Sequence, residues 1–349
     1  MRPGTFVSFL VCAAALLATV ETGRGGTLSA DAVNNATFGP VSKNRTSALV
    51  IKAEVLLDRA GFSPGVIDGR TGDNFKKALV AFQRQNGLAD SGNLDAQTFD
   101  RLTATSSDPV LRDYEITRAD VDAHYVHKIP KRFEAMARLP HLSYTGPRQA
   151  LAERFHMSQR LIEELNSRAS FRRPGTRLTV ANVEDRHRNG AVSKIVVDKQ
   201  DRSVSAFDRD GHLLGFYPAS IGSEEKPAPS GTFKVRRVAK NPTYHYDPKF
   251  RFRGVKAKHK ITIKPGPNNP VGVVWIDLTA PSYGIHGTPN PDNIGKTESH
   301  GCIRLTNWDA FALAAMVKRG TEVDFVGNSG SAQASGAASG GAGPSGHAN

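Results

Sequence analysis

Two short stretches near the carboxyl end of the chain carry its most specific information. They read Tyr283-Gly-Ile-His286-Gly287-Thr288 and, after a polar loop, Ser299-His300-Gly301-Cys302-Ile303-Arg304-Leu305. A cysteine attacks as its thiolate, yet a free thiol with a pKa of ~8.5 is mostly protonated at neutral pH. A histidine within hydrogen-bond reach can take that proton and later return it to a leaving amine. The pattern therefore predicts that the loop after His286 folds back and brings the imidazole to the thiol of Cys302.

The residues that flank Cys302 suit the same chemistry. Gly301 leaves the backbone beside the thiol uncrowded, so that backbone N–H groups can face a developing oxyanion, a contribution of typically ~3–4 kcal/mol. On a strand, Arg304 shares the face of Cys302 and can bind a substrate carboxylate bidentately. An alternative is a zinc site of His286, His300 and Cys302, but no further ligand or usual spacing supports it. Each residue alone fits an ordinary structural role, whereas their combination favours a catalytic site.

The chain around these stretches has the period of two that is typical of β-strands. The predicted strands are Lys194–Asp198, Val204–Asp208, Leu213–Ala219, Thr232–Val238, Gly272–Leu278 and Tyr283–His286. Asp210-Gly211 predicts a hairpin between the second and the third strand. After the cysteine motif, Thr306 with Asp309 three residues later predicts the start of a helix, and Gly320 its end. This part of the chain is therefore expected to be a mainly β domain.

The histidine and cysteine motifs closely resemble the catalytic domain of L,D-transpeptidases (YkuD type). That family has a histidine in a His-Gly context, a variable loop, and Ser/Thr-His-Gly-Cys followed by an apolar residue and arginine; every element is present here. Further matches are Pro229-Ser230-Gly231-Thr232-Phe233, Asn241-Pro242-Thr243 and Pro265-Gly266-Pro267-Asn268-Asn269-Pro270-Val271-Gly272. The resemblance places a catalytic domain at residues 190–327.

The resemblance also implies roles for the motif residues. Members of the family cut the bond between diaminopimelate at stem position three and the terminal D-Ala. They then pass the acyl group to an amine of a second stem, which gives a 3→3 cross-link. Cys302 would be the acyl-forming nucleophile and His286 its base and later acid, oriented by the backbone carbonyl of Gly287. His300 and Gly301 would shape the oxyanion region together with Cys302.

Candidate substrate contacts lie on both sides of the motif. The resemblance implies that Arg304 fixes the substrate or the motif loop and that Ser299 orients rather than reacts. Tyr283 and Tyr244 are further candidates for substrate binding. Tyr244 belongs to a segment, residues 241–272, that holds several aromatic residues and seven Lys or Arg against one acidic residue. This segment predicts either a lid over the acyl site or a solvated basic hairpin.

A helical unit lies near the amino end. Apolar residues mark one face of each of two helices, Leu49, Ala53, Leu56, Leu57 and Ala60 in the first and Phe75, Ala78, Leu79 and Phe82 in the second. A third helix is predicted near residues 95–102. Together with Asp68-Gly69 and Gly87-Leu88, the pattern resembles the small peptidoglycan-binding domain, which we place at residues 47–104. A generic three-helix module is the alternative.

Residues 141–184 resemble a LysM carbohydrate-binding module. Two short amphipathic helices, Arg148–Phe155 and Ser158–Asn166, precede Pro174-Gly175 and a strand at Arg177–Val183. The expected opening strand is missing or distorted around residues 144–147, so that glycan binding and a spacer role are both open. Residues 105–140 are expected to be a linker.

The two ends of the chain predict export and a disordered tail. Arg2 and the uncharged run 6–20 are typical of a signal peptide, placed at residues 1–24, with a retained anchor as the alternative. Cleavage would discard Cys12 and leave Cys302 as the single thiol, which excludes a disulfide-stapled scaffold. Residues 25–46 read as a linker. Residues 328–349 are rich in Gly, Ala and Ser, which predicts disorder.

The whole sequence predicts a multidomain α+β protein, with a three-helix bundle, a LysM-like βααβ segment and a mainly β catalytic domain. The expected function is a periplasmic or otherwise exported cysteine acyltransferase, an L,D-transpeptidase of cell-wall organisation and cell shape without cofactor or metal. Its partners would be peptidoglycan stems and glycan, with wall-anchored lipoprotein or an outer-membrane protein as a further acceptor. The net charge of +13 then suits an acidic wall rather than nucleic acid. Alternatives are an L,D-carboxypeptidase or hydrolase on the same bond, and a non-catalytic wall-binding scaffold.

Overall fold

The computed structural model describes residues 28–41, 45–183, 190–222, 227–250, 257–297 and 301–327. The predicted signal peptide and tail lie outside these ranges, as do Ser299 and His300. Within the described ranges, no helix combines the length and the apolar character that crossing a membrane requires.

The N-terminal unit is helical, as predicted. Its helices are α1 (Ala30–Asn34), α2 (Ala48–Ala60), α3 (Asp73–Gln85) and α4 (Ala96–Thr103). The Ser47 hydroxyl accepts a hydrogen bond from the N–H of Val50 at the start of α2, and Gly61 ends that helix at a φ of 102°. The predicted apolar faces of α2 and α3 are buried in one core.

Helix α1 corrects the expectation that residues 25–46 form only a linker. Ser29 caps this helix, and Val33 is fully buried. The side chain of Asn34 exchanges two hydrogen bonds with the backbone of Leu111, at 3.1 and 2.8 Å. A helix of five residues is too short to show a helical period, so the sequence pattern carries no signal for it.

The predicted linker 105–140 also contains regular structure. A βααβ unit consists of β1 (Leu111–Glu115), α7 (Pro147–Arg154), α8 (Gln159–Leu165) and β2 (Arg177–Ala181), and β1 pairs antiparallel with β2. Between β1 and α7 lie α5 (Arg118–Asp122) and α6 (Phe133–Ala137). The opening strand of the unit therefore lies upstream of residues 144–147. Its outward side chains are charged, so the sequence lacks the apolar alternation by which a strand is recognised.

The C-terminal domain is mainly β, as predicted. Its elements are β3 (Lys194–Asp198), β4 (Ser203–Phe207), β5 (Leu213–Pro218), β6 (Ser220–Ile221), β7 (Gly231–Lys240), β8 (Tyr244–Tyr246), β9 (Ile261–Ile263), β10 (Val274–Leu278), β11 (Gly284–His286), β12 (Ile303–Arg304), α9 (Asn307–Met316) and β13 (Glu322–Val326). Among the described residues, the large sheet has the strand order β5-β4-β3-β13-β7-β10-β11-β12-β6. Strands β11 and β12 are parallel neighbours, so the histidine and cysteine motifs lie side by side. Thr306 caps α9, as predicted.

The basic segment 241–272 contains a hairpin that the N-terminal half covers on one side. Strands β8 and β9 pair antiparallel and pack against α6. The ring of Phe133 in α6 lies edge-on to those of Tyr244 and Tyr246, with centroid distances of 5.7 and 5.4 Å. The described part of the segment therefore contains a hairpin, packed rather than solvated on one side, and its action as a lid stays a prediction.

The helical half and the β domain also share backbone hydrogen bonds. The N–H of Ser63 donates to the carbonyl of Phe216, whose side chain belongs to the helical core. The N–H of Leu142 donates to Pro265, and its carbonyl accepts from the N–H of Asn268. The N-terminal half is thus packed against the domain that carries the cysteine motif.

Candidate active site

His286, the last residue of β11, has a buried imidazole with one defined tautomer. It is 3% exposed, and its Nδ1 lies 2.7 Å from the carbonyl oxygen of Gly287. A carbonyl oxygen only accepts, so Nδ1 carries the proton and Nε2 of the neutral ring keeps its lone pair. Nε2 is therefore the atom able to accept a proton.

Trp275 covers one face of this imidazole. It lies directly opposite His286 across strands β10 and β11, and the two rings stack with centroids 5.4 Å apart and planes 20° apart. Gly284 makes room for the indole, since a Cβ there would lie 2.5 Å from Trp275 Cζ2. Burial and the positive charge of Arg304 lower the pKa of His286 from 6.5 to about 3. The imidazole is consequently neutral at physiological pH.

Cys302 follows a glycine in a conformation that other residues rarely adopt. Gly301 has a φ of 96°, in the region open to glycine because it lacks a Cβ. The thiol of Cys302 is partly exposed and donates to the carbonyl oxygen of Ser282 at 3.8 Å. Ser282 has a φ of 69°, which is uncommon for a residue with a side chain. Two left-handed backbone positions thus shape the surroundings of the thiol.

Arg304 is the register partner of His286 across the parallel strands β11 and β12. Burial lowers the pKa of its guanidinium, while the interactions with Cys302 and Tyr244 oppose that shift. A guanidinium remains charged in proteins. Burial and the neighbouring Cys302 both raise the pKa of Tyr244, which therefore keeps its phenolic proton.

These side chains line one cavity of about 1100 Å³. The β domain contributes Tyr244, Trp275, Ser282, His286, Cys302 and Arg304, and the N-terminal half contributes Ile129, Phe133, Met136, Gln149 and Glu153. Small-molecule sites usually measure roughly 300–1,000 Å³, so this volume suits an extended ligand such as a peptide.

The structure brings together most of the described candidate residues. Cys302, His286, Arg304 and Tyr244 meet at the cavity, and Gly287 orients the histidine. Tyr283 is not among the residues that line it. Burial and Cys302 raise the pKa of Tyr283, and its hydroxyl donates to the carbonyl of Pro227 at 3.1 Å.

Sequence reasoning missed three residues around His286: Trp275, Ser282 and Asn307. A signal existed for Trp275, because it lies in a predicted strand, Gly272–Leu278, directly before the predicted strand that ends at His286, and the two strands pair antiparallel. The backbone conformation of Ser282 has no signature in the sequence. The role of Asn307 depends on contacts with residues far away in the chain.

One group of possible metal ligands lies elsewhere in the described part of the chain. Asp208, Asp210 and His212 place their ligand atoms within 4.8 Å of one another in the turn between β4 and β5. The Asp208 carboxylate accepts hydrogen bonds from the N–H groups of Asp210 and His212. These bonds stabilise the turn, which explains why the three side chains lie close together. The zinc alternative depends on His300, outside the described residues, and stays untested.

Comparison with known families gives two matches. The L,D-transpeptidase catalytic domain (YkuD) matches residues 193–325, and a putative peptidoglycan-binding domain matches residues 46–102. Solved structures of similar proteins include L,D-transpeptidase 1 of Mycobacterium tuberculosis (20% identity, TM-score 0.29, 38% of this chain and 60% of that chain). Another is LD transpeptidase LdtMt1 in complex with imipenem (21% identity, TM-score 0.31, 38% of this chain and 58% of that chain).

Curated relatives share sequence with the catalytic domain. The putative L,D-transpeptidase YkuD of Bacillus licheniformis is 32% identical over 38% of this chain, which spans 65% of that protein. The putative L,D-transpeptidase YqjB of Bacillus subtilis is 31% identical over 37% of this chain, which spans 68% of that protein. The motif, the mainly β domain and these relatives agree: the chain belongs to the L,D-transpeptidase family and carries a peptidoglycan-binding domain in its N-terminal half.

Proposed function

We propose that this protein is an exported peptidoglycan L,D-transpeptidase that forms 3→3 cross-links through a thioester on Cys302. One observation carries the proposal: a thiol, a neutral imidazole of fixed tautomer and a guanidinium line the same cavity. The match of residues 46–102 to a putative peptidoglycan-binding domain supports peptidoglycan as the substrate. Export rests on the predicted signal peptide at residues 1–24.

In the acylation step, the sulfur of Cys302 attacks the carbonyl carbon of the diaminopimelate residue at stem position three. The thiol proton passes to Nε2 of His286 as the carbon–sulfur bond forms. The C–N bond to D-Ala then breaks, and His286 returns the proton to the leaving amine. The enzyme holds the stem as a thioester, and D-Ala leaves as a neutral amine that takes up a further proton in water.

The low pKa of His286 determines when this proton moves. Burial and Arg304 lower the pKa of His286 to about 3, so complete transfer of the thiol proton to the imidazole before attack is unfavourable. The imidazole is therefore neutral in the resting site, and its Nε2 can accept the thiol proton. Proton transfer accompanies attack, because the bond to carbon removes the negative charge from the sulfur.

Arg304 supplies positive charge beside the thiol. The guanidinium neutralises a carboxylate of the stem or the oxyanion of the tetrahedral intermediate, and its planar fork can do so with two hydrogen bonds. Gly301 leaves the backbone N–H of Cys302 accessible for the same oxyanion. The roles of Ser299 and His300 remain predictions from the motif.

In the second step, the amine of another stem attacks the thioester carbon. The carbon–nitrogen bond forms, the carbon–sulfur bond breaks, and the amine proton returns to the sulfur through His286. Water in place of the amine yields the free tripeptide, which is the carboxypeptidase outcome. The volume of about 1100 Å³ supports the transpeptidase outcome, because two stems have to meet at the thiol.

Covalent labelling by imipenem tests the acyl-enzyme. The LdtMt1 structure in complex with imipenem motivates the choice of this probe. We expect intact-protein mass spectrometry to show one adduct for each chain, which peptide mapping assigns to Cys302. Cys302→Ser should carry no adduct at neutral pH while its circular dichroism matches that of the parent protein. An adduct on the folded variant would contradict the proposal.

A further inference from the structure

Glu153 lies in α7, outside residues 193–325 that match the catalytic domain, yet it lines the cavity that holds Cys302 and His286. Its Oε1 accepts two hydrogen bonds, from the hydroxyl of Tyr144 at 2.8 Å and from Nδ2 of Asn307 at 2.9 Å. Glu153 and Asn307 are 154 positions apart in the chain. A carboxyl group of the N-terminal half is thus bonded to the first residue of α9.

The carboxamide of Asn307 has one defined orientation. It is 2% exposed. Its Nδ2 donates to Glu153 and to the carbonyl of Pro267 at 3.2 Å, while its Oδ1 accepts from the N–H of Val273 at 3.2 Å. Two acceptors on one side and a donor on the other leave no freedom to flip the amide.

This carboxamide packs against the peptide that holds His286. A Cβ at Gly287 would lie 2.2 Å from Asn307 Oδ1, and a Cβ at Gly272 would lie 2.0 Å from the same atom. Both positions are glycine, so the amide fits between the two backbones. The carbonyl of Gly287 is the group that accepts from His286 Nδ1. A displacement of Asn307 therefore displaces the acceptor that orients the imidazole.

We propose that Glu153 is a positioning residue of the active site, acting through Asn307 on the Gly287 peptide and so on the orientation of His286. The inference rests on the proposed function, since it assigns a support to the same base. This positioning role depends on the length of the Glu153 side chain, because its acceptor oxygen has to reach Nδ2 of Asn307. The N-terminal half is then part of the catalytic apparatus.

Two conservative variants separate reach from charge in the full-length protein. Glu153→Gln keeps the length and an acceptor oxygen but removes the ionisable carboxyl group, whose pKa burial raises to about 7. Glu153→Asp keeps the charge and retracts the acceptor by one methylene. We expect the maximal rate of acylation by imipenem to stay within about threefold of the parent for Gln and to fall ~10-fold or more for Asp. The half-saturating imipenem concentration should change little in either variant.

A spectroscopic readout separates positioning from loss of fold. In the parent and in Glu153→Gln, ¹⁵N NMR should show the Nδ1-protonated tautomer of His286. In Glu153→Asp, the same signals should broaden or move while the far-ultraviolet circular dichroism is retained. A double variant with Asn307→Ala should lose no more acylation rate than Asn307→Ala alone, because both substitutions break one connection.

Each outcome bears on the inference. Rapid acylation by Glu153→Asp with slow acylation by Glu153→Gln would mean that charge, not reach, matters, and would overturn it. Parent-like rates in both variants, or additive losses in the double variant, would overturn it as well. A parent protein that takes up no imipenem would instead refute the proposed function, so the two failures are distinguishable.

Discussion

Trp275 and His286 stack as a cross-strand pair, with ring centroids 5.4 Å apart. Because both residues belong to strands of the large sheet, the sheet itself fixes the imidazole. The indole also shields the ring from solvent, which contributes to the burial that lowers the pKa of His286 to about 3. The orientation of the imidazole is therefore fixed by its position in the sheet as much as by its hydrogen bond to Gly287.

Removing the stack should change both the titration and the rate. In Trp275→Leu, water reaches the imidazole, so we expect the pKa of His286 to move toward its ordinary value of ~6.5. Because the imidazole also loses the ring that fixes its orientation, we expect imipenem acylation to slow by about tenfold. NMR titration of the histidine and mass-detected acylation measure these effects. Trp308→Leu is the matched control, since Trp308 also stacks on a histidine, His156, at 5.0 Å. A parent-like titration in Trp275→Leu would contradict the shielding.

Stability should depend on pH through His286. Its folded-state pKa is depressed from 6.5 to about 3, so the unfolded chain binds one more proton between these values. The free energy of unfolding therefore falls as the pH is lowered through this window, by up to about 4–5 kcal/mol from this residue. In His286→Gln, the free energy of unfolding should lose this part of its dependence on pH. Urea unfolding at several pH values from 7 to 4 measures the free energy of unfolding of the parent and of His286→Gln. The same dependence on pH in both proteins would contradict a depressed pKa of His286.

Asp309 should have the opposite effect. Its carboxyl is 3% exposed and accepts from the hydroxyl of Ser63 at 2.9 Å. Burial and the nearby Asp58 raise the pKa of Asp309 from 3.8 to about 7. An acid with a raised pKa in the folded state destabilises the fold increasingly as the pH rises from 3.8 to 7, by up to about 4 kcal/mol.

Asp309→Asn should therefore increase the free energy of unfolding at pH 8, by about 2–4 kcal/mol, and leave it nearly unchanged below pH 4. The amide still accepts from Ser63 but has no charge to bury. Urea unfolding at both pH values measures the gain. Ser63→Ala controls for the hydrogen bond alone, and an equal effect of Asp309→Asn at both pH values would argue against a buried, titrating carboxyl.

Phe133 should influence substrate binding from outside the catalytic domain. Its ring contacts Tyr244 and Tyr246, and it lines the cavity. In Phe133→Ala, the hairpin loses this support, so we expect the KM for a stem tetrapeptide to rise several-fold with a smaller change in kcat. Phe311→Ala is the control, because Phe311 is 46% exposed and does not line this cavity. Equal kinetics in both variants would refute the role of Phe133.

Local patterns in the sequence predicted the elements of the β domain well. Strand β3 has the predicted bounds, and Thr306 caps α9 as expected. Strong alternation and capping chemistry are short-range signals, so they can be read directly from the sequence. The expectation that the loop after His286 folds back came from the motif rather than from periodicity; the parallel pairing of β11 with β12, which places Arg304 opposite His286, was not predicted.

The contributions of the N-terminal half could not be predicted in the same way. Helix α6 was expected to be linker because five residues give no usable period, and β1 was masked by its charged outer face. The bond between Glu153 and Asn307 joins residues far apart in the chain, and nothing in either local sequence marks it. Such long-range contacts arise from packing, which single-sequence patterns do not encode.

The proposed reaction transfers an acyl group from one stem to a second stem through Cys302. Its most direct test is incubation of the mature protein with a diaminopimelate-containing tetrapeptide, with the products read by mass spectrometry. We predict a cross-linked dimer that lacks one D-Ala, together with free D-Ala, and neither product with Cys302→Ser. Tripeptide without dimer would instead identify a carboxypeptidase, and unchanged tetrapeptide would contradict the account.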